Sequence, residues 1–289
     1  MYYPWSYFSC PSSGEIEARC LLWGFQLAGF DADVYGLESE SIDRYEIFCV
    51  FTLSKESKSF IADLPPTANI VIFPNTDTLN SVDFNDVEWK RFESLKLVAR
   101  SDYEYRDYTN KIDAMLVLRA HQWFIAPFQF IKDSAPSTEK WSVDLLAMVE
   151  PARSIGLYEA LDFLSEDANN LILTNDVLSI EQGVDKNQKS KVLQRFRYGG
   201  CDWFECLSSA KYLYESNDRV TSSVLEKLWM GGGVLVDKDS SIISELKHAV
   251  RISSVSDRFV EIRLKSKKNI YGYHSNVVAA TLVNEIKTR

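Results

Sequence analysis

The chain has 289 residues, 46% of them hydrophobic and 25% charged, which is enough to bury one large core or two modest ones and excludes an extended disordered protein. Its formal net charge is −9 with Lys and Arg scattered along it, which disfavours a protein built to track a nucleic-acid backbone; a nucleotide, by contrast, needs only a few donors at a helix N-terminus. Five cysteines without a short repeated spacing and three histidines far apart argue against a disulfide framework and a zinc site, and suit reduced thiols in a cytoplasmic protein. No run reaches the roughly 20 apolar residues of a spanning helix, so membrane contact is expected to be peripheral at most, at the inner face.

Residues 2–10 read as a short strand stopped by Pro11 and followed by a small-residue turn at Ser12, Ser13 and Gly14. Glu15 then opens an amphipathic helix with Ile16, Leu21, Leu22, Phe25 and Leu27 on or near one side, closed by Gly29 before a strand at 32–37. The alternation continues with a strand at 45–53, a helix at 55–64 ended by Pro65 and Pro66, and a buried strand at 69–73. A helix at 87–95, a short strand at 97–99, a helix at 103–110 and strands at 114–118 and 124–130 complete a first lobe, 1–131.

The Ser-, Pro- and charge-rich stretch 132–140 is the expected linker. Beyond it come a strand at 142–149, a helix at 155–164, a strand at 170–174 and a solvent-facing helix within 179–197. A strand at 210–214, a helix at 223–230, a strand at 234–237, a helix at 242–250 and a segment of either kind at 259–264 follow. They make a second lobe, 132–273, with a terminal helix in 274–289 that packs back on the first. The alternation favours two parallel α/β lobes.

The sharpest local signal precedes the helix at 223. Ser223 and, three residues later, Glu226 have capping-box spacing, and Gly231, Gly232 and Gly233 allow a tight return into the next strand. Helix capping alone accounts for that pair. The same position, just after a parallel strand, is also where open α/β sheets bind ligands, and a helix N-terminus with Arg219 beside it suits a phosphate.

The segment resembles the donor-binding region of retaining, nucleotide-sugar-dependent glycosyltransferases of the GT-B type, such as those of bacterial polysaccharide synthesis. In that family two acids separated by seven residues flank the entry to a helix that a glycine ends; here Asp218 and Glu226 match the acids and Gly231 or Gly232 the glycine. The first acid is Asp where Glu is usual, and Arg219 and Thr221 stand where the family often has Gly. The resemblance implies two Rossmann-like lobes facing each other across a cleft, in a compact version. It also implies transfer of a sugar from a nucleotide-sugar donor to a glycan or lipid-linked acceptor, with no permanently bound cofactor and no metal.

By the same resemblance Glu226 would hold ribose hydroxyls and the backbone at Ser222 and Ser223 would meet the diphosphate, with Asp218 beside the sugar. Arg153 would add charge to the diphosphate site, without the lysine the family often pairs with it, and Gly14 would belong to the acceptor-side loop. His121 is the candidate base if configuration inverts, with a packed or surface role as the alternative. Two other readings stay open: a noncatalytic nucleotide- or glycan-binding protein on a degenerate transferase scaffold, and another α/β enzyme acting on a phosphorylated substrate.

Overall fold

A computed structural model describes residues 13–33, 44–51, 55–74, 91–92, 94–113, 116–120, 141–149, 154–164, 167–174, 176–184, 189–194, 201–216 and 219–287. The chain divides into two compact α/β units, one of residues 1–123 with 272–289 and the other of residues 124–271. The strands expected at 2–10 and 124–130 and the linker at 132–140 lie outside the described residues.

In the first unit four strands run parallel in chain order: β1 (Ile47–Phe51), β2 (Asn69–Phe73), β3 (Ser94–Ala99) and β4 (Val117–Arg119). β1 and β2 are buried over four consecutive residues each, as expected of strands covered on both faces. Helix α1 (Ser13–Leu27) precedes the sheet, α2 (Lys55–Asp63) joins β1 to β2, and α3 (Asp102–Thr109) joins β3 to β4. Phe48, Val50, Phe60, Ile61, Leu64, Ile70, Ile72 and Leu97 form the core between α2 and the sheet. The last helix of the chain, α9 (Ser275–Lys287), belongs to this unit and crosses α1 closely enough that a Cβ at Gly24 would overlap the backbone of Ser275.

Arg100, one residue past β3, is buried at the C-terminal edge of this sheet. It donates to Glu17 in α1 at 2.6 Å, to Glu104 in α3 at 3.4 Å and to the Pro74 carbonyl past β2 at 3.2 Å. Burial works against its charge, but the carboxylates of Glu104 and Glu17 outweigh it and hold the guanidinium above its ordinary pKa.

The second unit has seven strands, ordered β10-β11-β9-β8-β5-β6-β7. These are β5 (Val143–Met148), β6 (Asn170–Thr174), β7 (Ser190–Gln194), β8 (Ala210–Tyr214), β9 (Gly233–Asp237), β10 (Val250–Ser254) and β11 (Phe259–Leu264). β9, β8, β5, β6 and β7 pair parallel, whereas β11 and β10 run antiparallel on the β9 side. Its helices are α4 (Ser154–Asp162), α5 (Val177–Glu181), α6 (Cys201–Ser209), α7 (Ser222–Trp229) and α8 (Ser241–Leu246). The chain builds outward from β5 in one direction and restarts at β8 in the other, so the β5/β8 boundary is a topological switch point.

Several expected elements differ. The helix expected through Leu95 gives way to β3, which starts at Ser94, and Leu27 is 74% exposed at the end of α1 instead of facing the core. No strand forms at Ala32 or Asp33, and residues 34–43 lie outside the described set. The Lys- and Ser-rich stretch expected as one helix within 179–197 forms instead the short α5 and the strand β7, whose Val192 packs on the core cluster. The helix expected to reach Val250 ends at Leu246, and Val250 starts a strand.

Candidate functional site

At the switch point of the second unit, β8 ends at Tyr214 and its backbone ladder continues one residue further, where Glu215 N–H donates to the Leu235 carbonyl of β9 at 3.1 Å. The chain then loops to α7, with Asn217 and Asp218 outside the described residues. Two contacts close this loop. Thr221 has φ −103° and ψ 163°, and its Oγ1 accepts the Val224 N–H at 3.3 Å and donates to the buried Glu215 carboxylate at 2.9 Å.

 The Thr221 backbone is the extended one of a helix N-cap. Its carbonyl takes the Leu225 N–H at 3.2 Å.

Thr221, not Ser223, is therefore the cap, and the expected Ser223–Glu226 capping box does not form. Three hydroxyl residues in a row compete for that role, and Thr221 takes it because Val220 before it and Leu225 after it are both buried, at the spacing of a hydrophobic staple. Ser222 and Ser223 become the first two helical residues, both buried, and Glu226 lies a full turn inside the helix with no solvent exposure. Arg219 is half-buried two residues before the cap. Arg219, Ser222, Ser223 and Glu226 thus share one loop-helix segment. Gly14 belongs to the first unit, where it lies inside the first turn of α1 instead of in the expected turn before it, because that helix starts at Ser13. Asp218, His121 and Arg153 lie outside the described residues.

Helix α7 is held firmly at its other end. Gly231 N–H bonds the Leu228 carbonyl and Gly232 N–H the Lys227 carbonyl, both at 3.1 Å, with Gly231 at φ 84°; this is a Schellman ending. The Lys227 side chain runs beneath Gly232, where a Cβ would overlap it. Its ammonium donates to the Leu207 carbonyl at 2.7 Å and to the Ala210 carbonyl, and it lies 4.3 Å from the centre of the Trp141 ring. Burial, with Arg263 adding to it, pushes this lysine down to about 7.

Beside the cap lies a cavity of about 400 Å³ at the C-terminal ends of β8 and β9, lined by Tyr214, Glu215, Ser216, Asp237, Arg258 and Phe259 among others. Arg258 bridges Asp237 at 2.9 Å and Glu159 of α4 at 2.6 Å. The Tyr214 hydroxyl packs over α4, where a Cβ at Gly156 would overlap it. Burial pushes the phenol up to about 12, so it stays a hydrogen-bond donor at neutral pH. The carboxylates of Glu215, Asp237 and Asp239, the Tyr214 phenol and the hydroxyls of Ser216 and Ser240 make this lining a set of hydrogen-bonding partners for a polyhydroxylated ligand. Tyr214, Glu215 and Arg258 were not singled out by sequence reasoning; for Tyr214 and Glu215 the available signal was position at the end of a strand, whereas Arg258 lies one residue before β11 and carried no such signal. Among the described residues no group of three or more His, Cys, Asp or Glu is placed to hold a metal ion.

No protein-family model and no curated protein matches the chain. Among solved structures it is similar to T4 phage BGT in complex with UDP and Mn2+, at 13% identity and a TM-score of 0.48 over 98% of this chain and 93% of that one. It is similar to the DNA-modifying enzyme β-glucosyltransferase, solved with and without uridine diphosphoglucose, at 12% identity and a TM-score of 0.49 over 98% of this chain and 93% of that one. A glycosyltransferase from Rickettsia africae ESF-5 is similar at 12% identity and a TM-score of 0.47, over 95% of this chain and 91% of that one.

Proposed function

We propose that the chain is a glycosyltransferase that moves a sugar from a nucleotide-sugar donor to a hydroxyl of a glycan or lipid-linked acceptor. The observation that carries this reading is the Thr221–Glu215 hydrogen bond at the switch point. It ties the N-terminus of α7, whose dipole favours a diphosphate, to a cavity whose carboxylates favour sugar hydroxyls. In this reading the backbone at Ser222 and Ser223 meets the diphosphate, Arg219 and Arg153 neutralise it as it departs, and Asp218 lies beside the sugar. Glu226, expected at the ribose, has no solvent exposure and is left to the packing of α7, and Gly14 serves the acceptor side. If configuration is retained, the leaving phosphate takes the acceptor's proton; if it inverts, His121 is the base.

Calorimetric titration with UDP, GDP, ADP and CMP tests the reading. At least one nucleotide is expected to bind, and Arg219→Ala is expected to weaken it by roughly tenfold, the worth of one charge-assisted hydrogen bond, with an unchanged circular dichroism spectrum. Glu226→Ala is measured beside it with a melting curve, because that side chain is buried. Binding by none of the nucleotides, or unchanged affinity in Arg219→Ala, sinks the donor-site assignment. Stable binding without turnover of any sugar nucleotide moves the protein to the noncatalytic reading.

A further inference from the structure

The cavity at the C-terminal ends of β8 and β9 is negatively charged. Glu215, Asp237 and Asp239 line it, and among the described residues Arg258 is the only cation of the lining. That guanidinium is shared between Asp237 at 2.9 Å and Glu159 at 2.6 Å, so it brings no net positive charge to the space. The Asp239 N–H donates to the Asp237 carboxylate at 3.3 Å, which folds both aspartates into one turn; Lys238 between them is exposed and outside the lining. Glu215 is buried, and its carboxylate takes the Thr221 hydroxyl. The Tyr214 phenol reports the sign of the field. Burial is the largest cause of its raised pKa, and of the nearby charges Arg258 lowers it while Glu215, Asp237 and Glu159 raise it.

We infer that this cavity selects a donor whose sugar is neutral and excludes sugar acids such as uronates, an inference that rests on the donor-site reading above. A sugar hydroxyl donates to a carboxylate without adding charge, and each of the three acids has lone pairs for it. A sugar carboxylate has no proton to donate at neutral pH and meets like charge on three sides. Arg258 is the one cation of the lining that it can gain. Taking that arginine strips it from Asp237 and Glu159 and leaves two acids without their cation beside the newcomer. A pyranose fits within a cavity of about 400 Å³, so a carboxylate at its C6 lies inside the field of these groups. Selection against charge thus comes from β8, β9 and the start of β11, whereas the capped helix α7 serves the diphosphate.

Calorimetric titration of the full chain with UDP, UDP-glucose and UDP-glucuronate tests this, or with the GDP-mannose and GDP-mannuronate or ADP-glucose and ADP-glucuronate pairs, according to which nucleotide binds. The two donors of a pair differ only at C6, a hydroxymethyl group in one and a carboxylate in the other. The acid is expected to bind roughly tenfold or more weakly than the neutral donor, with the difference narrowing as salt rises. Asp239→Asn removes one charge of the lining without breaking an ion pair of Arg258, and is expected to narrow the difference about fivefold. Asp167→Asn removes an equal charge three residues before β6, at the N-terminal edge of the same sheet, and is expected to leave the difference unchanged. Both aspartates are exposed, so the variants keep the parent's melting curve. If no nucleotide binds, the donor-site reading falls and this inference falls with it. The inference alone is overturned if the nucleotide binds and the acid donor binds as tightly as the neutral one. It is likewise overturned if the preference is the same in Asp239→Asn as in the parent at every salt concentration, or if CMP, whose donors carry sugar acids, is the only nucleotide bound.

Discussion

Lys227 gives the sharpest test of the packing behind the candidate site. Its ammonium is held under Gly232 against two backbone carbonyls and an indole ring, and burial brings it from an ordinary 10.5 to about 7. Between those two values the unfolded chain binds a proton that the folded chain does not, so stability rises with pH across that window and is flat below it. From pH 7 to pH 9 the gain is about 2 kcal/mol, obtained by integrating the proton difference for a single group. Burial also pushes Cys49 up to about 11 and Tyr214 up to about 12, and these act in the opposite direction, but only as their unfolded counterparts ionise near 9 and 10. Lys227→Met keeps the length of the side chain and removes the titrating group. Urea unfolding of parent and variant at pH 7, 8 and 9, with each transition fitted separately, is expected to show their stability difference growing by about 2 kcal/mol in the parent's favour. Parallel curves would refute the argument.

Three further outcomes follow from the contacts around the two sheet edges. Thr221→Ala removes the cap of α7 and is expected to cost about 1 kcal/mol in urea unfolding, while Ser223→Ala, at a position that does not cap, should not lose the same bond. Glu104→Ala leaves buried Arg100 short of a carboxylate and is expected to cost about 3 kcal/mol, measured in the same way. Arg258→Ala breaks two ion pairs yet is expected to cost less than about 1 kcal/mol, because all three side chains are nearly half exposed.

The parallel strands were legible because their apolar runs are continuous: β2, β6 and β8 have the bounds that the sequence pattern predicts. Segments where polar residues form an exposed strand were not. β10 is buried only at Val250, and β7 opens with Ser190 and Lys191, so neither shows the apolar run or clear alternation by which a strand is recognised. Their strand character comes from pairing with β11 and β6, which is tertiary information. The cap shows the same limit at the scale of one residue. Spacing favoured Ser223 because Glu226 lies three residues on, but the burial of Val220 and Leu225 set the start of the helix earlier. Glu226 was thereby carried into the interior. The cavity was hidden for a related reason: Glu215, Asp237 and Arg258 are far apart in sequence and meet only because β8, β9 and β11 are neighbours.

Both units place an arginine at the C-terminal edge of a parallel sheet and tie it to carboxylates, and the difference between the two arrangements bears on which edge receives a ligand. Arg100 is buried, with its guanidinium spread over Glu17, Glu104 and the Pro74 carbonyl; removing any of these bonds exposes a charge to an apolar interior, so the cluster cannot exchange partners cheaply. Arg258 joins Asp237 and Glu159 near the surface, where each ion pair is weak and water already competes for it. An incoming ligand can displace those bonds at small cost and regain them through its own oxygens. Arg258 also borders the cavity, whereas Arg100 locks β2, β3, α1 and α3 together. The first edge is thus built to hold its own elements in place, and the second keeps its polar groups available, next to a capped helix whose N-terminus is fixed by Thr221 and whose far end is fixed by Gly231 and Lys227.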